Sequence, residues 1–154
     1  MKDSLIIKTV AATMLVPIVT FGIYIVLHGH LTPGGGFQGG AIIASAFILL
    51  LVAFSKNANK LFSKNVLSAF EALALLCFIG LAFLGLQTSF FNNFLANSGL
   101  IFGQSVPFGP NPGIVNSAGT IPLMNIFVAL EVCCALTVIV FLMFTHSKGG
   151  ENAR

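Results

Sequence analysis

Two glutamates are the residues best placed to do chemistry. Glu131 falls near the middle of the apolar stretch from Ile121 to Thr145, and Glu71 falls about one and a half turns into the stretch from Val66 to Thr88. An ionisable group at the centre of a bilayer costs at least about 2.5–3.5 kcal/mol, which makes it a functional candidate by default. Loss of water favours the neutral acid, so such a carboxyl can carry a proton, or can join other oxygens around Na+. For Glu131 the plainer alternatives are a partner on a neighbouring subunit, or a neutral acid bonded to a carbonyl. Glu71 can also reach the membrane edge and pair with Lys64 or Lys60. On a helical wheel it shares a face with Ala74, Phe78, Ala82 and Gly85, which favours helix packing there.

A second set of candidates lies nearer the N-terminus. Thr9, Thr13, Pro17, Thr20 and Tyr24 fall on one stripe of a helix, and His28 extends it. Thr13 and Thr20 are candidates for lining a hydrated path. The plainer alternative is that each threonine bonds its own backbone while Pro17 kinks the helix. His28 and His30 titrate near neutral pH and are proton-path candidates. Their two-residue spacing puts them on different helix faces, so a shared metal is not expected. Cys77, Cys133 and Cys134 read as small buried apolar residues, and Asn125 and Gln87 as interhelical hydrogen-bond glue. With no nucleophile–base constellation, cofactor motif or metal cluster, the chain reads as non-catalytic.

The densest pattern is His28-Gly29-His30-Leu31-Thr32-Pro33-Gly34-Gly35-Gly36-Phe37-Gln38-Gly39-Gly40. It contains a formal G-x-G-x-x-G at Gly34, Gly36 and Gly39. The dinucleotide fingerprint requires a preceding strand and an acid about 20 positions later, and here the next acid is Glu71. Thr32 as N-cap and Pro33 at the first helical position instead predict the start of a helix. Glycine costs about 1 kcal/mol relative to Ala inside a helix, so this density implies a tight contact or a re-entrant turn. Pro33, Gly34, Gly35, Gly36, Phe37, Gly39 and Gly40 are therefore the candidate helix-packing set, since four-residue spacing of small residues lets another backbone approach. A direct role in an ion path is the alternative.

The elements that hold these residues follow from composition. Charged residues make up 7% of the 154 and hydrophobic residues 56%. That composition excludes a free-standing soluble globule and a disordered chain. Four segments are long enough to cross a bilayer: about 5–27, 33–54, 66–88 and 121–145. The first is too long for a signal peptide and is read as a retained span. The expected fold is an all-α integral membrane protein, one membrane domain over 1–154 with four transmembrane helices. Lys2 and Lys8 are read as preceding the first span, Lys56, Lys60 and Lys64 lie between the second and third, and Lys148 and Arg154 follow the fourth. The opposite loops, 28–32 and 89–120, carry no charged residue. The positive-inside rule then puts both termini in the cytoplasm of a multi-pass cell-membrane protein. The basic residues would meet anionic lipid headgroups of the bilayer; scattered and without an aromatic platform, they do not indicate nucleic acid. The uncharged outer loop 89–120 is expected to lie on the membrane surface or against a partner.

The string from Gly29 to Gly40 closely resembles the signature of the MrpB/MnhB family, small subunits of multisubunit sodium/proton antiporters. The family also occurs in antiporter-derived modules of membrane-bound hydrogenases and sulfur reductases. The resemblance implies an accessory subunit of a hetero-oligomeric membrane complex that exchanges Na+ for H+, with no cofactor of its own. In that family the large subunits carry the buried Lys/Glu relay, and no lysine is expected inside a span here. A non-conducting spacer in such a complex and a self-sufficient homo-oligomeric transporter are the competing expectations.

Overall fold

The computed structural model describes residues 4–54, 62–86, 89–106, 108 and 113–151, with side chains to 146. Lys2, Asp3, Lys56, Lys60, Gln87 and Arg154, and the side chains of Lys148 and Glu151, lie outside the described residues. Four helices carry the architecture: α1 (Leu5–Leu27), α2 (Gly35–Ala53), α3 (Lys64–Leu84) and α4 (Ile121–Glu151). A short 3-10 turn, Val115–Ser117, precedes α4. All four helices are long and apolar enough to cross a membrane, with mean hydropathy of 2.3, 2.0, 2.3 and 2.7 in order. In lipid a helix satisfies its backbone internally, which is why such sequences adopt it.

Two sequence expectations change at helix starts. The second helix begins at Gly35 and not at Pro33. Its N-cap is Gly34, whose φ of 114° lies in the left-handed region that glycine tolerates. Thr32 does not cap it: its backbone N–H and its hydroxyl both turn back to the His28 carbonyl oxygen, at 3.0 and 3.1 Å. Thr32 thus closes the end of α1, and the chain turns at Gly34 before α2 can start. Lys8, expected ahead of the first span, lies within the first turn of α1.

The helices are arranged in the order α1–α2–α4–α3. The α2 helix packs on both α1 and α4, α3 packs on α4, and α1 meets α4 only lightly. Burial follows this order. The central α2 buries Gly35, Gly36, Gly39, Gly40, Ala44, Ala46 and Leu51, whereas α3 buries only Ala74 and Ala82. Away from the loop 28–34, Leu51 and Phe141 form an apolar cluster joined by Phe62 and Phe144. Large outward residues such as Leu5 and Leu76, 78% and 68% exposed, suit a lipid environment.

The long loop folds back on the bundle. Phe90 and Phe91 meet each other and reach Phe83 and Phe78 of α3, with ring centroids 4.6, 5.5 and 5.8 Å apart. Asn93 fastens the entry to α4. Its Oδ1 accepts from the Thr120 backbone N–H at 2.7 Å and from the Thr120 hydroxyl at 3.0 Å, while its Nδ2 donates to the Ala118 carbonyl at 3.0 Å.

Candidate functional site

The glycine string works on two sides of α2 at once. On one side a Cβ at Gly36 would strike the Asn125 carbonyl oxygen, and a Cβ at Gly40 would lie 2.6 Å from the Ala129 carbonyl oxygen. Ala44, one turn further, is fully buried. On the other side a Cβ at Gly39 would strike Val26 and lie 2.9 Å from the Gly22 carbonyl oxygen, so α1 is equally close. Contacts below 3 Å to backbone atoms leave no room for any side chain. Of the remaining residues of the expected packing set, Gly35 is buried beside Asn125, whereas Pro33, Gly34 and Phe37 are exposed, with Phe37 at 62%.

His30 lies at the junction of the short loop, the long loop and α4. Its Nε2 is 3.3 Å from the Ile114 carbonyl oxygen. A carbonyl only accepts, so Nε2 carries the proton and Nδ1 of the neutral ring is an acceptor. Asn125 lies beside the same loop: a Cβ at Gly29 would be 2.5 Å from Asn125 Nδ2. His30 Nδ1 and Asn125 Nδ2 are buried without a hydrogen-bond partner among the described residues. The junction therefore offers one acceptor and one donor, a combination that spacing alone did not reveal. His28 is separate from it. Its Nδ1 is 2.9 Å from the Tyr24 carbonyl oxygen, and its ring stacks on Tyr24 with centroids 4.1 Å apart.

Both membrane glutamates are partly buried. Glu71 is on the α4 side of α3, near enough to Cys134 for its carboxylate to act electrostatically on that thiol. Cys134 is three residues beyond Glu131 on α4, an axial rise of about 4.5 Å. The two carboxylates stand on neighbouring helices that pack on each other. Ala74 and Ala82, on the wheel face shared with Glu71, are the two buried residues of α3.

The threonine stripe has a local explanation. Thr9, Thr13 and Thr20 are exposed, and each hydroxyl donates to the carbonyl four residues back, at 3.0, 2.9 and 2.8 Å. Cys77, Cys133 and Cys134 are free thiols, the last two buried. Thr137, fully buried, donates to the Cys133 carbonyl at 2.7 Å. Among the described residues no group of three or more His, Cys, Asp or Glu side chains could hold a metal ion.

A four-helix membrane protein whose glycine-rich helix start wedges between two neighbouring helices is thereby defined. Residues 6–138 match the family model described as a domain related to the MnhB subunit of Na+/H+ antiporter, and the chain belongs to that family. It is 43% identical over 139 residues to an uncharacterized protein of Methanocaldococcus jannaschii, a match that covers 90% of this chain and 51% of that one. It is 43% identical over 56 residues to the Staphylococcus epidermidis protein designated antiporter subunit mnhB2, covering 36% of this chain and 40% of the other. A solved structure of the membrane-bound sulfane sulfur reductase, an archaeal respiratory membrane complex, contains a chain 32% identical, with a TM-score of 0.73 over 93% of this chain and 59% of that one. The chain thus spans about half the length of the relatives it matches.

Proposed function

We propose that the chain is a non-catalytic subunit of a cation/proton antiporter module in a cell membrane. It packs against larger ion-carrying subunits and supplies Glu131 and Glu71 to a shared Na+ and H+ route. The observation that carries this reading is the pair of partly buried carboxylates on adjacent, packed helices, in a member of the antiporter-subunit family. Lone carboxylates at membrane depth are costly unless they serve a path or meet a partner. His30 and His28 are subordinate path candidates in this reading, whereas the Thr13 and Thr20 hydroxyls are already bonded to their own helix. The absence of charge in 28–32 and 89–120 supports both termini facing the cytoplasm.

A second reading concerns the host. The similarity to a chain of a respiratory complex extends over 93% of this chain, and the similarity to the staphylococcal antiporter subunit over 36%. The first supports a redox-driven membrane complex as host, and the MnhB family match over residues 6–138 supports the antiporter module itself. The two readings share the module and differ in what drives it.

The test is purification of the complex through a tag on this chain, followed by identification of its partners and sodium-dependent proton exchange in proteoliposomes. Iron–sulfur or Ni-Fe subunits among the partners support the respiratory host. Glu131→Gln is expected to leave assembly intact and lower exchange by at least about tenfold, in keeping with an isosteric loss of a membrane charge. Unchanged exchange in an assembled complex would make the chain a spacer. A homodimer that transports alone would overturn the subunit reading.

A further inference from the structure

The long loop turns back along α3, and three features of the chain make it do so. Gly85 is the C-cap residue of α3, and a Cβ there would lie 2.8 Å from the Asn92 backbone nitrogen and 2.9 Å from the Asn92 carbonyl oxygen, so a glycine lets the loop cross at that distance. The last carbonyls of a helix have no partner inside it, and the Ala82 carbonyl accepts from the Phe91 backbone N–H at 3.3 Å. Phe91 itself has a φ of 62°, in the left-handed region that bulky residues rarely adopt. Such a backbone persists only where its surroundings fix it.

The turn sends two neighbouring rings down the side of α3. The Phe91 ring is 5.8 Å from the Phe78 ring, centre to centre, and the Phe90 ring is 5.5 Å from the Phe83 ring. Phe78 stands six residues before Leu84, the last residue of α3, which is an axial distance of about 9 Å. Helical side chains lean toward the N-terminus, so the Phe78 ring is no nearer the helix end than its backbone is. The Phe91 ring centre is therefore at least about 3 Å inside the end of a helix long and apolar enough to span a membrane.

Phe90 and Phe91 are nonetheless 54% and 45% exposed. Their open surface continues that of Leu76, Ile79 and Phe83, which are exposed at helical spacing along one face of α3. No Lys, Arg, Asp or Glu occurs in residues 89–120. Two open aromatic rings within the depth of a spanning helix, continuous with its apolar face and with no charge in their loop, match hydrocarbon.

We propose that Phe90 and Phe91 form a re-entrant aromatic wedge, seated among lipid acyl chains beside the last two turns of α3, that anchors the long loop to the bilayer. Asn93, two residues on, fastens the same loop to the start of α4. The loop is thus held to the membrane by its rings and to the bundle by an amide. The wedge takes only the end of α3 and leaves the rest of that helix to a neighbouring subunit.

The experiment uses the intact, unmodified complex in phosphatidylcholine nanodiscs. One sample carries lipid with a diazirine on the acyl chain, a second receives a water-soluble diazirine, and labelled residues are mapped by mass spectrometry. Phe90 and Phe91 should take the acyl-chain label over the aqueous one by at least about tenfold, the preference expected for rings whose open surface lies in hydrocarbon. Phe90→Leu should keep the acyl-chain label at Phe91. Phe90→Asp should remove it and speed amide exchange at residues 91–92, because a charge is costly among acyl chains. Labelling of both rings by the aqueous probe would put the loop in water. Labelling by neither would mean that a protein subunit covers the rings, and a full acyl-chain label at Phe91 in Phe90→Asp would mean that the ring at position 90 anchors nothing. Each of these three results would overturn the proposal.

Discussion

Gly36 of α2 rests on the backbone of Asn125 of α4, so closely that a Cβ at position 36 would fall on the Asn125 carbonyl oxygen. Three residues on, Gly39 is as close to α1: a Cβ there would strike the Val26 side chain and lie 2.9 Å from the Gly22 carbonyl oxygen. Small residues in membrane helices let backbones approach, and in α2 the two approaches alternate around one helix within a turn and a half.

The first prediction concerns those contacts. Gly40→Ala would place its Cβ 2.6 Å from the Ala129 carbonyl oxygen and 2.9 Å from the Ala129 Cα, so backbone has to move. Overpacking of this kind costs about 1–3 kcal/mol. Gly36→Leu and Gly40→Leu should stop the chain from joining its complex, read as loss of partner subunits in a pull-down. Gly80→Ala is the control. A Cβ there meets nothing within 4 Å, so this change in α3 should raise the melting temperature slightly, by up to about 1 kcal/mol of helix propensity.

A second prediction separates one ion route from two. If Glu71 and Glu131 serve the same step, Glu71→Gln combined with Glu131→Gln should lower sodium-dependent proton exchange no further than the more severe single variant, because residues acting as a unit are non-additive. Multiplicative losses in proteoliposomes would assign the carboxylates to separate steps.

The third prediction addresses the loop. Asn93→Ala removes two acceptor contacts to Thr120 and one donor contact to Ala118. Leaving such partners unsatisfied costs about 1–3 kcal/mol. Amide hydrogen exchange should accelerate over residues 118–124 and stay unchanged in α2. No change at 118–124 would mean that Asn93 does not hold the start of α4.

The threonine stripe supports a fourth. Thr13→Val and Thr20→Val each remove a hydroxyl bonded to its own helix, so exchange should stay within about twofold of the parent. A loss of tenfold or more in either variant, with assembly intact, would show that the hydroxyl serves the route.

The spans were legible because hydrophobic length is a one-dimensional property, and the structure keeps all four as helices. The start of α2 was not. Thr32 and Pro33 have the chemistry of a helix start, but the Thr32 hydroxyl closes the preceding helix, and only the backbone angle of Gly34 decides which use wins. The small face of the glycine string was visible as spacing. That its two sides meet different helices was hidden, since Asn125 and Val26 are distant in sequence and unremarkable by type. Asn93 was invisible for the same reason: its three bonds depend on where Ala118 and Thr120 return. The nearness of Glu71 to Cys134 was likewise hidden, since it depends on how α3 lies against α4.

The order α1–α2–α4–α3 makes this chain a fence panel and not a pipe. Its two end posts, α1 and α3, bury few of their own residues, Ala11, Gly22 and Val26 on one and Ala74 and Ala82 on the other. A panel encloses nothing unaided; it divides space and offers two edges along which the next panel can stand. Any conduit that runs past α3 and α4 would then be a seam between neighbours, opened or sealed by how the panels are joined.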